Sequence, residues 1–127
     1  KALRGAAAPF GVNGDTARDF VHVSDVATAL LAMLQPAASG PYNVSTGEPV
    51  RIADIVRFVA RSLSADPRPL LALPCLRDAG PAVLAGDNGR LRSLGWQPAT
   101  SLDAAIADTV RACIGYAARH ALDNHAS

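Results

Sequence analysis

Apolar and polar positions along the chain fall into a succession of short, distinct periods. Phe10 to Val12 is apolar, Asn13-Gly14-Asp15 is a turn former, and Phe20-Val21-His22-Val23 alternates, which predicts two short strands around a loop. Ser24 then stands as a helix cap before Val26, Ala29, Leu30, Met33 and Leu34, spaced by three and four residues up to Pro36, so one face of this helix is expected to be buried. Gly40-Pro41 breaks the chain ahead of a short strand at Tyr42-Asn43-Val44, which ends in the small, polar Ser45-Thr46-Gly47. Ile52, Ile55, Val56, Val59 and Leu63 mark a second amphipathic helix, closed at Asp66-Pro67.

Between residues 68 and 87 the proline content and two apolar bursts, Leu70 to Leu73 and Ala82 to Ala85, predict extended segments joined by a loop that carries Arg77. Asp87 is placed to cap a short helix through Leu91 and Leu94, stopped by a left-handed Gly95 and by Pro98. Thr100 and Asp103 have capping-box spacing. Leu102, Ala105, Ile106, Thr109, Val110, Cys113 and Ile114 then form one stripe, so a long last helix is expected, fraying after Ala121. The order strand, helix, strand, helix, strand, strand, helix, helix has too few helices and too short strands for a doubly wound sheet. It predicts a small mixed α/β domain with about four helices over residues 1–121, and a disordered tail over 122–127.

The 127 residues are 50% hydrophobic but only 5% aromatic, which fits one domain with a modest aliphatic core. Twelve Lys and Arg against eleven Asp and Glu leave a formal charge of +1. The basic residues are scattered, so bulk attraction to nucleic acid or to an anionic membrane is not expected, and any anion must be bound locally. No apolar run nears the roughly 20 residues of a membrane span, and no leader pattern is seen, so a soluble, cytoplasmic protein is expected. Cys75 and Cys113 have no metal-ligand spacing and read as reduced core thiols. The first residue is Lys1 rather than Met, which with the small size predicts a piece of a longer protein.

Glycine-rich phosphate loops and a Gly-x-Ser-x-Gly elbow are missing from the sequence. His22 and Asp25 are spaced for an acid/base pair, but a structural histidine beside a first-turn carboxylate explains them without chemistry. His120 and His125 lie in the expected tail and give no metal site; no catalytic residue is assigned. Two arginines are more informative. Arg18 precedes an apolar strand and Arg77 sits in a proline-rich loop, so both can converge on a cleft, where a planar guanidinium suits phosphate. The plain alternative for each is a solvated arginine or one paired with the adjacent Asp19 or Asp78.

Three blocks in order, Arg18-Asp19-Phe20-Val21-His22-Val23-Ser24-Asp25-Val26-Ala27, Tyr42-Asn43-Val44-Ser45-Thr46-Gly47, and Asp87-Asn88-Gly89-Arg90-Leu91 through Leu94-Gly95-Trp96-Gln97-Pro98, carry a family likeness. Together they resemble the C-terminal part of NAD-dependent sugar-nucleotide epimerases and dehydratases. These are the extended short-chain dehydrogenases/reductases, a family that includes UDP-glucose 4-epimerase. The resemblance covers about residues 2 to 116.

It implies a parent whose N-terminal Rossmann domain holds NAD or NADP and a Tyr-x-x-x-Lys catalytic pair. This chain would supply the following substrate domain, which grips a nucleotide-diphosphate sugar and binds no cofactor or metal itself. Tyr42 is followed at that spacing by Thr46 and Tyr116 by His120, so the catalytic pair is not in this stretch. By the same likeness, Arg18 and Arg77 fall on two diphosphate-binding arginines, Phe20 lies near the nucleotide, Val12 and Asn13 lie beside the base, and Leu84 lines the same pocket. The surface facing the Rossmann partner would be apolar, which makes self-association of the separate chain an expectation.

The sequence also departs from the family pattern. Gly80 stands where an acidic residue would accept hydrogen bonds from ribose, with Asp78 as a substitute only if the loop shifts. The Gly14–Ala17 loop is about one residue short, and Arg51 replaces a frequent serine cap. The Gly80 change favours an alternative, a degenerate non-catalytic module for protein association or nucleotide sensing.

Overall fold

The computed structural model describes residues 13–35, 38–74 and 80–123. The predicted strand at Phe10 to Val12, Cys75, Arg77 and the last residues of the tail lie outside them. The described chain is small mixed α/β: β1 (Ala17–Asp19), α1 (Val23–Met33), β2 (Pro49–Arg51), α2 (Ile52–Ser62), α3 (Arg68–Leu71), β3 (Val83–Leu84), α4 (Gly89–Arg92) and α5 (Leu102–Asp123).

The sheet has the order β2-β1-β3. β2 runs antiparallel to β1, with Arg18 opposite Val50, and β3 runs parallel to it, with Arg18 opposite Leu84. The predicted strand at Phe20 to Val23 therefore forms three residues earlier than its alternation indicated. Phe20, Val21 and His22 have no strand partner and line a cavity instead. Tyr42 to Val44 is likewise not a strand. Asn43 donates through Nδ2 to the Asp87 carbonyl (3.0 Å), and Tyr42 and Val44 pack on the core. β2 follows the tight turn at Gly47, whose φ of 81° is the left-handed conformation that glycine adopts at no steric cost.

Two packing centres hold these elements. Ala29, Leu91 and Trp96 form one, with Ala32, Met33, Tyr42, Val44 and Leu94 against it. In the other, α2 packs on α5, burying Val56, Ala60 and Ile106. α1 is capped by His22, not Ser24: the His22 backbone is still extended while Ser24 is already helical, and Nδ1 of His22 accepts from the Ser24 N–H at 3.4 Å. Leu30 and Leu34, expected on the buried face, are 57% and 79% exposed. With Val23 and Leu31 they give α1 an uncovered apolar side.

The expected extended segment at Leu70 to Leu73 begins as a helical turn, α3. Asp66 Oδ1 accepts the Arg68 N–H (2.9 Å), and the proline in its first turn has no N–H to leave unpaired. The cap of α4 is Asn88 rather than Asp87, and its side chain makes no cap bond; Asp87 stands one residue earlier, where its Oδ1 accepts the Gly89 N–H at 2.8 Å, and the chain turns at Gly95 with φ 85°. At the start of α5 Thr100 does not form the expected capping box, because Asp25 takes it; Ser101 Oγ accepts the Ala104 N–H (3.4 Å). Cys113 is exposed rather than a core thiol, since α5 emerges from its packing beyond Val110. No helix among the described residues is long and apolar enough to cross a membrane.

Candidate functional site

β1 is short, and its first backbone contacts fix which side chains it presents. The Ala17 N–H donates to the Ala82 carbonyl (2.8 Å) and the Ile52 N–H donates to the Thr16 carbonyl (2.9 Å), so β1 is held from both sides. Register partners on neighbouring strands lie on one face of a sheet, so Arg18 and Leu84 are brought together at one rung. The Arg18 guanidinium donates through one nitrogen to the carbonyls of Ala17 (2.8 Å) and Pro81 (3.0 Å), which anchors it at the β1–β3 side of the sheet. Leu84 is 57% exposed, an apolar surface beside a cation.

The other sequence-predicted residues distribute differently. Asn13 closes a turn: its Oδ1 accepts the Asp15 N–H (3.2 Å) and its carbonyl accepts the Thr16 hydroxyl (2.8 Å). That turn is tied to α2 by the Ala53 N–H donating to the Gly14 carbonyl (3.1 Å), on the β2 side of the sheet. Phe20 lines an apolar cavity of about 430 Å³ with Ile55, Val59, Leu102, Ile106 and Val110. It also borders a smaller cavity of about 280 Å³ that His22, Thr46, Glu48 and Thr100 make more polar. Neither cavity is lined by Arg18 or Leu84. Val12 and Arg77 lie outside the described residues.

His22 and Asp25 do not form a pair. His22 Nδ1 meets the Ser24 hydroxyl at 2.7 Å, and buried Asp25 accepts from Ala99 N–H, Thr100 N–H and the Thr100 hydroxyl at 3.1–3.2 Å. Among the described residues no cluster of three His, Cys, Asp or Glu side chains is arranged to hold a metal.

Asp19, which the sequence offers only as a partner for Arg18, ties separate stretches of the chain together. Its Oδ1 accepts the Thr46 N–H (2.9 Å) and hydroxyl (2.6 Å), and its Oδ2 accepts the N–H groups of Gly47 (2.9 Å) and Gly86 (3.3 Å). Partial burial pushes this carboxyl's pKa up. The hydrogen bonds from the Thr46 hydroxyl and from the three N–H groups outweigh it, and the net result lies below the ordinary 3.8. The sequence signal was the polar Ser45-Thr46-Gly47 turn, whose consecutive N–H groups suit an anion.

A carboxyl with a lower pKa when folded binds more protons when unfolded, so its stabilisation is complete above the unfolded value. It is lost as pH falls through the folded one. Urea midpoints measured from neutrality downwards should therefore drop below about pH 4, and Asp19→Asn should flatten part of that drop. An equally steep acid limb in the variant contradicts the assignment. Asp66 is also lowered, by its hydrogen bonds and charge pairing with Arg68, but both groups are exposed and are common to wild type and variant.

This fold is shared with known structures. The Thermotoga maritima UDP-glucose 4-epimerase with UDP-glucose superposes with a TM-score of 0.72 at 25% identity, over 86% of this chain and 35% of that one. MoeE5 in complex with UDP-glucuronic acid and NAD gives 0.71 at 28% identity, over 86% and 37%. In sequence, the UDP-glucose 4-epimerase of Mycolicibacterium smegmatis is 38% identical over 103 residues, 80% of this chain and 32% of the relative. A putative GDP-L-fucose synthase 2 of Oryza sativa is 31% identical over 100 residues, 78% and 28%. Residues 3–109 match the family model described as GDP-mannose 4,6 dehydratase. The chain belongs to this family of sugar-nucleotide epimerases and dehydratases, and it spans about a third of the length of the relatives it matches.

Proposed function

We propose that this chain is the substrate-gripping part of an NAD-dependent sugar-nucleotide epimerase or dehydratase, of the UDP-glucose 4-epimerase kind. A Rossmann domain of the same parent would supply NAD or NADP and the chemistry. The observation that carries the reading is the β1–β3 rung, where an anchored guanidinium (Arg18) adjoins an exposed aliphatic side chain (Leu84). A diphosphate offers paired negative oxygens to a guanidinium fork, and an apolar wall beside it suits a base, so affinity and orientation come from atoms remote from the reacting sugar. Arg77 is assigned as the second cation of the clamp. Hydride transfer needs a nicotinamide held by the other domain, so the chain alone should give no turnover. The uncovered apolar side of α1 supports a neighbour of that kind, or self-association when the neighbour is absent.

In the full-length parent, Arg18→Ala and Arg77→Ala should each weaken sugar-nucleotide binding by about 1.5–3 kcal/mol, the scale of a hydrogen bond to a charged group. Unchanged affinity in both variants by calorimetric titration rejects the clamp. A non-catalytic sensing module is favoured by one feature alone, Gly80. It stands where the family pattern places an acidic ribose partner, and glycine has no side chain to accept a hydrogen bond from ribose. A parent sequence with a glycine-rich strand-helix start and Tyr-x-x-x-Lys would exclude that alternative.

A further inference from the structure

The parallel pair β1–β3 is only two residues long, and two-stranded pairing of that length has little stability of its own. Where its backbone ladder stops after Leu84, the Asp19 carboxylate reaches across to the Gly86 N–H and, with its other oxygen, to Thr46. One side chain thus joins three stretches distant in sequence: β1, the Thr46-Gly47 turn and the chain leaving β3. Gly86 lies close against Ser45 as well. A Cβ on Gly86 would fall 2.6 Å from both Cβ and Oγ of Ser45, and the next atom, Asn43 Cβ, is 4.0 Å away. Ser45 Oγ is itself buried with no hydrogen-bond partner among the described residues, so removing it sacrifices no bond.

We infer that Asp19 is a positioning residue for nucleotide binding: its carboxylate fixes the 83–86 segment against β1, and so sets Leu84 beside Arg18. This rests on the nucleotide-binding reading above and adds to it a residue that need not touch the ligand. It also predicts that Gly86 and Ser45 are coupled, because the close approach of Gly86 is what brings its N–H to Asp19.

The test titrates the isotope-labelled 127-residue chain with UDP, and with GDP in parallel, reading dissociation constants from amide shifts and recording a melting temperature for each variant. Asp19→Asn and Gly86→Ala should each weaken binding about tenfold or more, the equivalent of one charge-assisted hydrogen bond. Adding Ser45→Gly to Gly86→Ala opens the space for the new methyl and should restore affinity to within about threefold of wild type. Asp25→Asn, which loosens α1 from residues 99–100, should lower the melting temperature with affinity held within the same range.

Wild-type affinity in Asp19→Asn and Gly86→Ala overturns the inference. So does equal weakening in Asp25→Asn, which marks a general loss of stability, or a double variant that melts like wild type without recovering affinity. Should Asp19→Asn fail to fold, the Gly86 and Ser45 pair decides alone. If wild type binds neither nucleotide, the functional reading fails and the positioning role for binding falls with it. Hydrogen exchange then separates the structural part: Leu84 and Gly86 amides exchanging faster in Asp19→Asn, with Val56 unchanged, uphold the carboxylate as the tie, and unchanged rates reject it.

Discussion

Trp96→Ala should destabilise the chain by about 3–5 kcal/mol, the range for emptying a large aromatic site in a packed core. Trp96 is 6% exposed and stacks its ring into the centre formed by Ala29 and Leu91, both fully buried. Its Nε1 donates to Thr28 Oγ1 (3.0 Å), and that hydroxyl donates to the Asp25 carbonyl (3.0 Å), so the ring is fixed in orientation as well as buried. Small domains have total stabilities of about 5–15 kcal/mol, and the loss would take a large part of that. Trp96→Phe keeps most of the packing and gives up the hydrogen bond, for a smaller loss of about 1–2 kcal/mol. Equilibrium urea unfolding reads both; similar losses in the two variants would mean that the hydrogen bond, not the ring, holds this centre together.

The second large effect is expected at Asp25. This carboxylate is 2% exposed, sits in the first turn of α1 where the helix dipole favours it, and satisfies the N–H groups of Ala99 and Thr100 together with the Thr100 hydroxyl. Asp25→Ala removes a buried carboxylate and with it the acceptor of all three hydrogen bonds, and should cost about 2–4 kcal/mol. Because residues 99 and 100 lead into α5, hydrogen exchange at Ala99 and Thr100 should accelerate more than at Leu91. A stability change within about 0.5 kcal/mol of wild type, the scale of an ordinary surface substitution, would contradict this tie.

Periodicity made α1, α2, α4 and α5 legible, hid the single turn of α3 and left most of the strands unread. The stripe from Ile52 to Leu63 is α2, and Leu102, Ala105, Ile106 and Val110 are the side of α5 that packs. Three-residue strands such as Ala17–Asp19 and Pro49–Arg51 have no room to show alternation, and their positions follow from partners far along the chain. Phe20 to Val23 alternates for another reason, since it lines cavities between helices. The exposure of Leu30 and Leu34 was hidden for a similar reason: an apolar stripe records that a face is covered in some assembly, not which element covers it.

At the candidate site, Arg18 stands out by its place before an apolar stretch and Leu84 only through the family likeness, and their adjacency is a matter of register that no local pattern encodes. The role of Asp19 is not written in any local pattern, because its partners, at 46, 47 and 86, meet it only in the folded chain.

The most direct test is to map where a nucleoside diphosphate meets this chain, by following backbone amide shifts as UDP is added. The largest changes should fall on Arg18 and Leu84, at the rung shared by β1 and β3. Changes centred instead on Ile55, Val59 and Val110, around the apolar cavity, or no saturable change with either UDP or GDP, would contradict the account.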